Sequence, residues 1–205
     1  MLKPIPLARY AFLFCQALLL LSCSNKASSV AGGAGFKEAI FDEAMLNTVM
    51  NDPQCVTVRF YNVRRTASDN KGTALAIGVR SDGTEIYNGT SAKYRMSDKI
   101  SGGSVIYIDL LKPAAIAACD LIKTAGDVSY SCEFTKTAVA ALLAGTACNG
   151  VRLVPERLDP TTWTMRMKPV KIASGSFTNL SAPPSVMCTE PCPNFCGPAS
   201  HYLNM

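Results

Sequence analysis

The 205-residue sequence predicts an α+β domain: two similar helix–strand–strand–strand halves sharing one mainly antiparallel sheet, with helices on one face. Three observations predict it. The segment CVTVRFYNVRR, beginning at Cys55, is echoed 93 residues later by CNGVRLVPERL, beginning at Cys148. Each copy follows an apolar stretch with the period of an amphipathic helix. Each is then followed by a polar turn and another β-rich run.

Taken in order, residues 36–50 carry Ala39, Ile40, Ala44, Leu46, Val49 and Met50 at helical spacing, and the stripe stops at Asn51-Asp52-Pro53. A strand is expected over 56–63, a polar turn over RTASDNKG, a second strand at TALAIGVR, and a third at TEIYN after Ser81-Asp82-Gly83. In the second half TKTAVAALLAG takes the helix position, and TMRMKPVK replaces TALAIGVR after a two-residue deletion. Without a gap, Phe41 aligns with Phe134, Cys55 with Cys148, Val58 with Val151, Arg59 with Arg152 and Arg64 with Arg157: five identities in 24 residues. Duplication explains them; shared turn and pattern rules acting on two unrelated segments are the plainer alternative. Between the halves, 113–124 reads as a helix with Pro113 near its start and Gly126 past its end. Pro169 interrupts the strand after Trp163, so that strand is expected at a sheet edge or with a bulge. One unit of roughly 50 residues buries too little surface to stand alone, whereas two can share a core.

Hydrophobic residues make up 48% of the chain and charged residues 17%, a globular balance rather than a disordered one. The N-terminus has a secretory signal's three parts: Lys3 and Arg9, an apolar run over 11–21, and the small Ser22. That run of about 11 residues is short for a bilayer core, which takes about 20 residues of helix. Removing Lys3 and Arg9 with the leader takes the formal charge from +5 to +3. No basic block beyond Arg64-Arg65 stands out, so nucleic acid is not an expected partner.

Leu20-Leu21-Ser22-Cys23 resembles the lipobox of bacterial lipoproteins, with Leu20 three places before the cysteine and small Ser22 just before it. An ordinary signal with a chance cysteine is the alternative. The resemblance implies a leader over 1–22, lipidation at Cys23, and a membrane partner reached through the lipid. Acyl chains contribute about 0.8 kcal/mol per buried CH₂, which makes a multiply acylated anchor durable. Residues 23–35, with the small and flexible SNKASSVAGGAG, read as a tether. Ser24, in place of the aspartate linked to inner-membrane retention, points to the outer membrane, facing the periplasm or the cell surface. The folded part is then 36–182, with halves about 36–93 and 127–182, followed by a Cys- and Pro-rich tail over 183–205.

Cys55, Val58, Arg59, Tyr61, Gly78, Val79, Asp82, Gly83, Cys192, Pro193 and Cys196 also resemble a pattern in uncharacterised secreted proteins of Bacteroidota. There a GC-x-G-I-R-I-Y strand, a VGV-D-x-x-G hairpin and a C-terminal CP-x-x-C recur. Thr57 replaces the glycine and Arg80 falls in the hairpin. The resemblance implies fold and location only.

Seven cysteines follow Cys23: Cys55, Cys119, Cys132, Cys148, Cys188, Cys192 and Cys196. An exported chain meets an oxidising compartment, so disulfides are the default, and an odd count leaves at least one thiol over. Cys55 and Cys148 read as small core residues, with pairing or metal binding as the alternatives. In the tail, Cys188, Cys192 and Cys196 recur every four residues, with His201 nearby, among prolines that favour a loop. They read as a disulfide clasp, for example Cys192 with Cys196. They also suit zinc or copper, or thiol–disulfide exchange. Arg59 and Arg152 recur on one strand face and could clamp a carboxylate or phosphate, or simply be salt-bridged.

His201 is the only histidine, and no nucleophile elbow, phosphate loop or dinucleotide fingerprint occurs. The expectation is a lipid-anchored binding or structural module of the cell envelope, not an enzyme and with no cofactor, whose partner is an envelope protein or small ligand. The alternative is a metal- or thiol-redox-handling lipoprotein acting through the C-terminal cysteines.

Overall fold

The computed structural model describes residues 36–69, 72–192 and Leu203. The leader, Cys23 and the tether lie outside the described residues, as do Cys196 and His201. The described chain is α+β, with three helices packed on antiparallel sheets.

The stripe beginning near residue 36 divides into two elements. Ala39–Asp42 is strand β1, and helix α1 spans Glu43–Met50. Asp42 makes the break: its backbone is extended and its Oδ1 accepts the Met45 amide at 2.9 Å, an aspartate N-cap. Ala39, Ile40 and Phe41 have helical spacing but lie buried in a ladder, where tertiary pairing outweighs local propensity.

The remaining elements are β2 (Thr57–Val63), β3 (Thr73–Val79), β4 (Tyr94–Ser101), β5 (Ser104–Leu110), α2 (Lys112–Thr124), β6 (Ser131–Thr135), α3 (Lys136–Leu143), β7 (Gly150–Arg157), β8 (Trp163–Ala173), β9 (Ser176–Asn179) and β10 (Val186–Met187). They form two five-stranded sheets instead of the single sheet expected. One runs β1-β7-β8-β10, with β9 also on β8; the other runs β5-β4-β3-β2-β6. Each sheet includes a strand from the other end of the chain. β1 pairs with β7, placing Phe41 opposite Val151 and Asp42 opposite Gly150. β6 pairs with β2, placing Phe134 opposite Val58 and Thr135 opposite Thr57. Every residue in the first set is 93 positions from its counterpart in the second.

The offset extends to detail. Thr135 Oγ1 accepts the Ala138 amide at 3.1 Å and caps α3 as Asp42 caps α1. The Cys55 and Cys148 thiols donate to the carbonyl two residues on, at 3.3 and 3.2 Å.

The main core draws on both sheets and on α1 and α3, through Phe41, Leu46, Phe60, Phe134, Leu142 and Leu153. The Phe60 ring lies 5.1 Å from Phe41 and 5.9 Å from Phe134. Burying side chains of this size contributes about 1.5–3 kcal/mol each. A second core carries Tyr61, Leu75, Ile77 and Tyr94 beneath Ala115, Ala118 and Cys119 of α2. Strand alternation explains it, since Val58 and Phe60 join one core and Tyr61 and Val63 the other. The helices therefore do not share one face.

Residues 84–88 are not a third strand; only Glu85 bridges to Val79. The hairpin forms later, at β4–β5, around Gly102 with φ of +61°. Pro169 lies inside the sheet, not at an edge: β7 pairs on one side, while β9 and β10 pair with β8 on either side of it. Its carbonyl accepts the Leu180 amide at 3.0 Å on the side where its nitrogen has no hydrogen to give. No helix among the described residues is long and apolar enough to cross a membrane.

Candidate functional site

Arg59 of β2 is fully buried and surrounded by acceptors. Its Nε and Nη2 donate to Glu133 Oε1 at 2.9 and 2.6 Å, and Nη2 also to the Gly83 carbonyl at 3.0 Å. Nη1 donates to Glu85 Oε1 and to the Tyr61 hydroxyl, both at 3.3 Å. Glu85 also accepts from the Tyr61 hydroxyl at 2.5 Å and from the Tyr94 hydroxyl. Thr57 Oγ1 donates to Glu133 at 2.9 Å. Burial and the Glu85 carboxylate push the Tyr61 and Tyr94 hydroxyls well above the usual phenol range, so both remain donors. Burial opposes the guanidinium charge, but Tyr61 and the Glu133 carboxylate beside it outweigh this and raise the Arg59 pKa. The network ties β2, β6 and the turn at Gly83 together and leaves Arg59 committed to internal partners.

Arg152 is placed differently. It lies on β7 in the other sheet, pairs with Glu38 at 2.7 Å, donates to Asn179 at 3.2 Å, and stacks over Phe177 at 5.3 Å. The two arginines thus occupy separate sheets, each salt-bridged to its own carboxylates as the plainer reading had it, and they do not form a clamp. Strand register, which puts Glu133 opposite Arg59, brings in a partner that linear spacing could not indicate.

Beside Glu133 opens a cleft of about 500 Å³, between β6, the start of α3 and the segment after β10. Thr57, Glu133, Thr135, Thr189 and Glu190 give it a polar lining, and Met187 and Cys188 part of its wall. Ser131, 1% exposed, also lines it, and its hydroxyl has no hydrogen-bond partner among the described residues. Among the described residues, two carboxylates and no basic side chain line the cleft, which disfavours anions.

Among the described residues, the cysteines divide into the disulfide-bonded Cys192, as a tail clasp would have it, and five free thiols, Cys188 among them. Cys55, Cys119, Cys132, Cys148 and Cys188 are buried free thiols, so the default of disulfides does not extend to them. Cys192 is disulfide-bonded, and its backbone pairs with Ser131 through amide–carbonyl bonds of 3.0 and 2.9 Å. Cys188 is instead buried in the same core as Cys132 of β6. Thr164 supports both: its Oγ1 lies 3.6 Å from Cys132 Sγ and donates to the Cys188 carbonyl at 2.6 Å. Burial pushes the Cys132 thiol up, while the neighbouring Cys132 side chain, against burial, brings Cys188 down to about 7. Among the described residues, no three His, Cys, Asp or Glu side chains converge on one point.

No protein-family model, curated protein or solved structure matches this chain. Fold and site define an α+β protein of two antiparallel sheets with a polar, carboxylate-lined cleft beside a buried ionic network.

Proposed function

We propose that the chain is a lipid-anchored binding or structural module of the cell envelope, without catalytic activity, held at the outer membrane through Cys23. Its folded part is built from two duplicated halves that exchange their first strands. The reciprocal β1–β7 and β6–β2 registers, 93 residues apart, support the duplication. The partner is a small, uncharged or cationic molecule rich in hydrogen-bond donors, such as a neutral saccharide or an amine. One observation carries this: a cleft of about 500 Å³ lined by Glu133 and Glu190, with the Ser131 hydroxyl unpartnered in its wall. Its polar groups resemble the few orienting groups of small-molecule sites.

Calorimetric titration with neutral saccharides, amines and anionic counterparts tests the cleft. Binding of the first two classes, weakened roughly fivefold or more by Ser131→Ala, is expected, about 1 kcal/mol for one hydrogen bond. Binding of anions alone, or insensitivity to Ser131→Ala, would exclude this site. Labelled palmitate incorporated into the native chain and lost in Cys23→Ala tests the anchor; unchanged incorporation would exclude Cys23.

A further inference from the structure

We propose that Cys132 and Cys188 form a thiol–disulfide exchange couple, in which Cys188 attacks a small disulfide and Cys132 resolves the adduct. The couple stands independently of whether the cleft binds a ligand. Cys132 enters from β6, and Cys188 directly follows β10, 56 residues later in sequence. Thr164 on the neighbouring β8 holds both, through 3.6 Å to the Cys132 sulfur and 2.6 Å to the Cys188 carbonyl. The Cys188 amide donates to the Met165 carbonyl at 3.0 Å, so the backbone carrying this thiol is fixed. Both side chains are buried in one core, at 1% and 5% exposure.

The two thiols differ in access. Cys188 lines the cleft and Cys132 does not, so a reagent entering there meets Cys188 first. They also differ in acidity, in the order such a couple needs: a thiolate at the entrance and a protonated thiol behind it. The Cys188 thiolate attacks one sulfur of a disulfide RSSR, the S–S bond breaks, and one RS⁻ leaves and takes a proton. Cys132 then loses its proton and attacks the Cys188 sulfur, expelling the second RS⁻. The two cysteines are oxidised to one disulfide, and RSSR is reduced to two RSH. Glu133 and Glu190 at the cleft select against an anionic oxidant. Cystamine, a cationic disulfide, is therefore the first probe and oxidised glutathione the anionic comparison.

The purified chain, reduced and freed of reductant, is treated with either disulfide, quenched in acid, alkylated under denaturing conditions and digested with trypsin. The expected product joins the peptide 124–136 to the peptide 172–205, and fragmentation at Glu190-Pro191 places the link on Cys188. Cystamine forms it at least severalfold faster than oxidised glutathione. In Cys132→Ala the reaction stops at a mixed disulfide on Cys188, while Cys188→Ala leaves Cys132 unmodified. A link from Cys188 to Cys192 overturns the pairing, as does full alkylation of Cys132 and Cys188 after treatment. Equal rates with the two reagents overturn the selection by charge. The cross-link in the unsubstituted chain decides the pairing even where Cys132→Ala does not fold.

Discussion

Arg59 and Glu133 face each other across β2 and β6, joined by two hydrogen bonds of 2.9 and 2.6 Å to one carboxylate oxygen. The arginine is fully buried, whereas the Glu133 side chain is 31% exposed at the cleft. One residue of the pair is therefore structural, and the other also meets solvent.

Replacing Arg59 by Met strands Glu85, which is 5% exposed, without its cation. Breaking a buried pair from one side costs about 3–5 kcal/mol. Urea unfolding of Arg59→Met is expected to show a loss in that range, and Glu133→Gln a smaller one. Equal losses in the two variants would contradict the difference in burial.

Asp42 does more than its counterpart Thr135. Besides capping α1, its Oδ2 accepts the Val105 amide at 2.9 Å, and its own amide donates to the Tyr107 hydroxyl at 2.7 Å. A lost cap costs about 1 kcal/mol. Thr135→Ala is expected near that value and Asp42→Ala about 1 kcal/mol or more beyond it, because the Val105 amide loses its acceptor. Equal midpoint shifts in denaturant would show that the link to β5 contributes nothing.

Gly150 is required by close approach. A Cβ there would lie 2.5 Å from Ile172 Cδ1 and 2.8 Å from the Phe41 carbonyl oxygen. Ile172 can move, but the carbonyl belongs to the β1–β7 ladder. Gly150→Ala is expected to cost about 1–3 kcal/mol and to weaken amide-exchange protection in β1 before β4. Unchanged protection would mean that β1 shifts without loss.

The pH dependence of thiol reactivity separates Cys188 from Cys132. The Cys188 pKa is lowered from 9.0 to about 7, so its thiolate population, and its rate with an uncharged alkylating reagent, rise as pH increases through about 7. Cys132 moves the other way and stays unreactive there. Mass spectrometry of alkylated peptides from pH 5 to 9 measures both. A Cys188 midpoint at the ordinary value near 9 would remove the influence of Cys132.

Glycine, proline and the period-two pattern located β2, β3 and α2 with no tertiary information, because local turn chemistry and alternation determine those elements. The hairpin at Gly102-Gly103 was missed, because the β-rich TEIYN drew attention to the wrong strand. The stripe of 36–50 was ambiguous in principle: Ala39, Ile40 and Phe41 satisfy a helix equally well. Only the open edge of β7, more than a hundred residues away, makes them a strand.

By itself the sequence determined the α+β class, the 93-residue echo and the list of residues able to do chemistry, all of which depend on residue identity and local period. Tertiary structure alone decided which of those residues meet. It divided the strands between two sheets, gave Arg59 to Glu85 and Glu133, kept Arg152 apart, and brought Cys188 and Cys132 together around Thr164. The physical reason is that local period specifies which way a side chain faces along its own strand, whereas contacts between strands follow from register. Register is chosen by burial summed over the whole ladder, and no short stretch of sequence contains that sum.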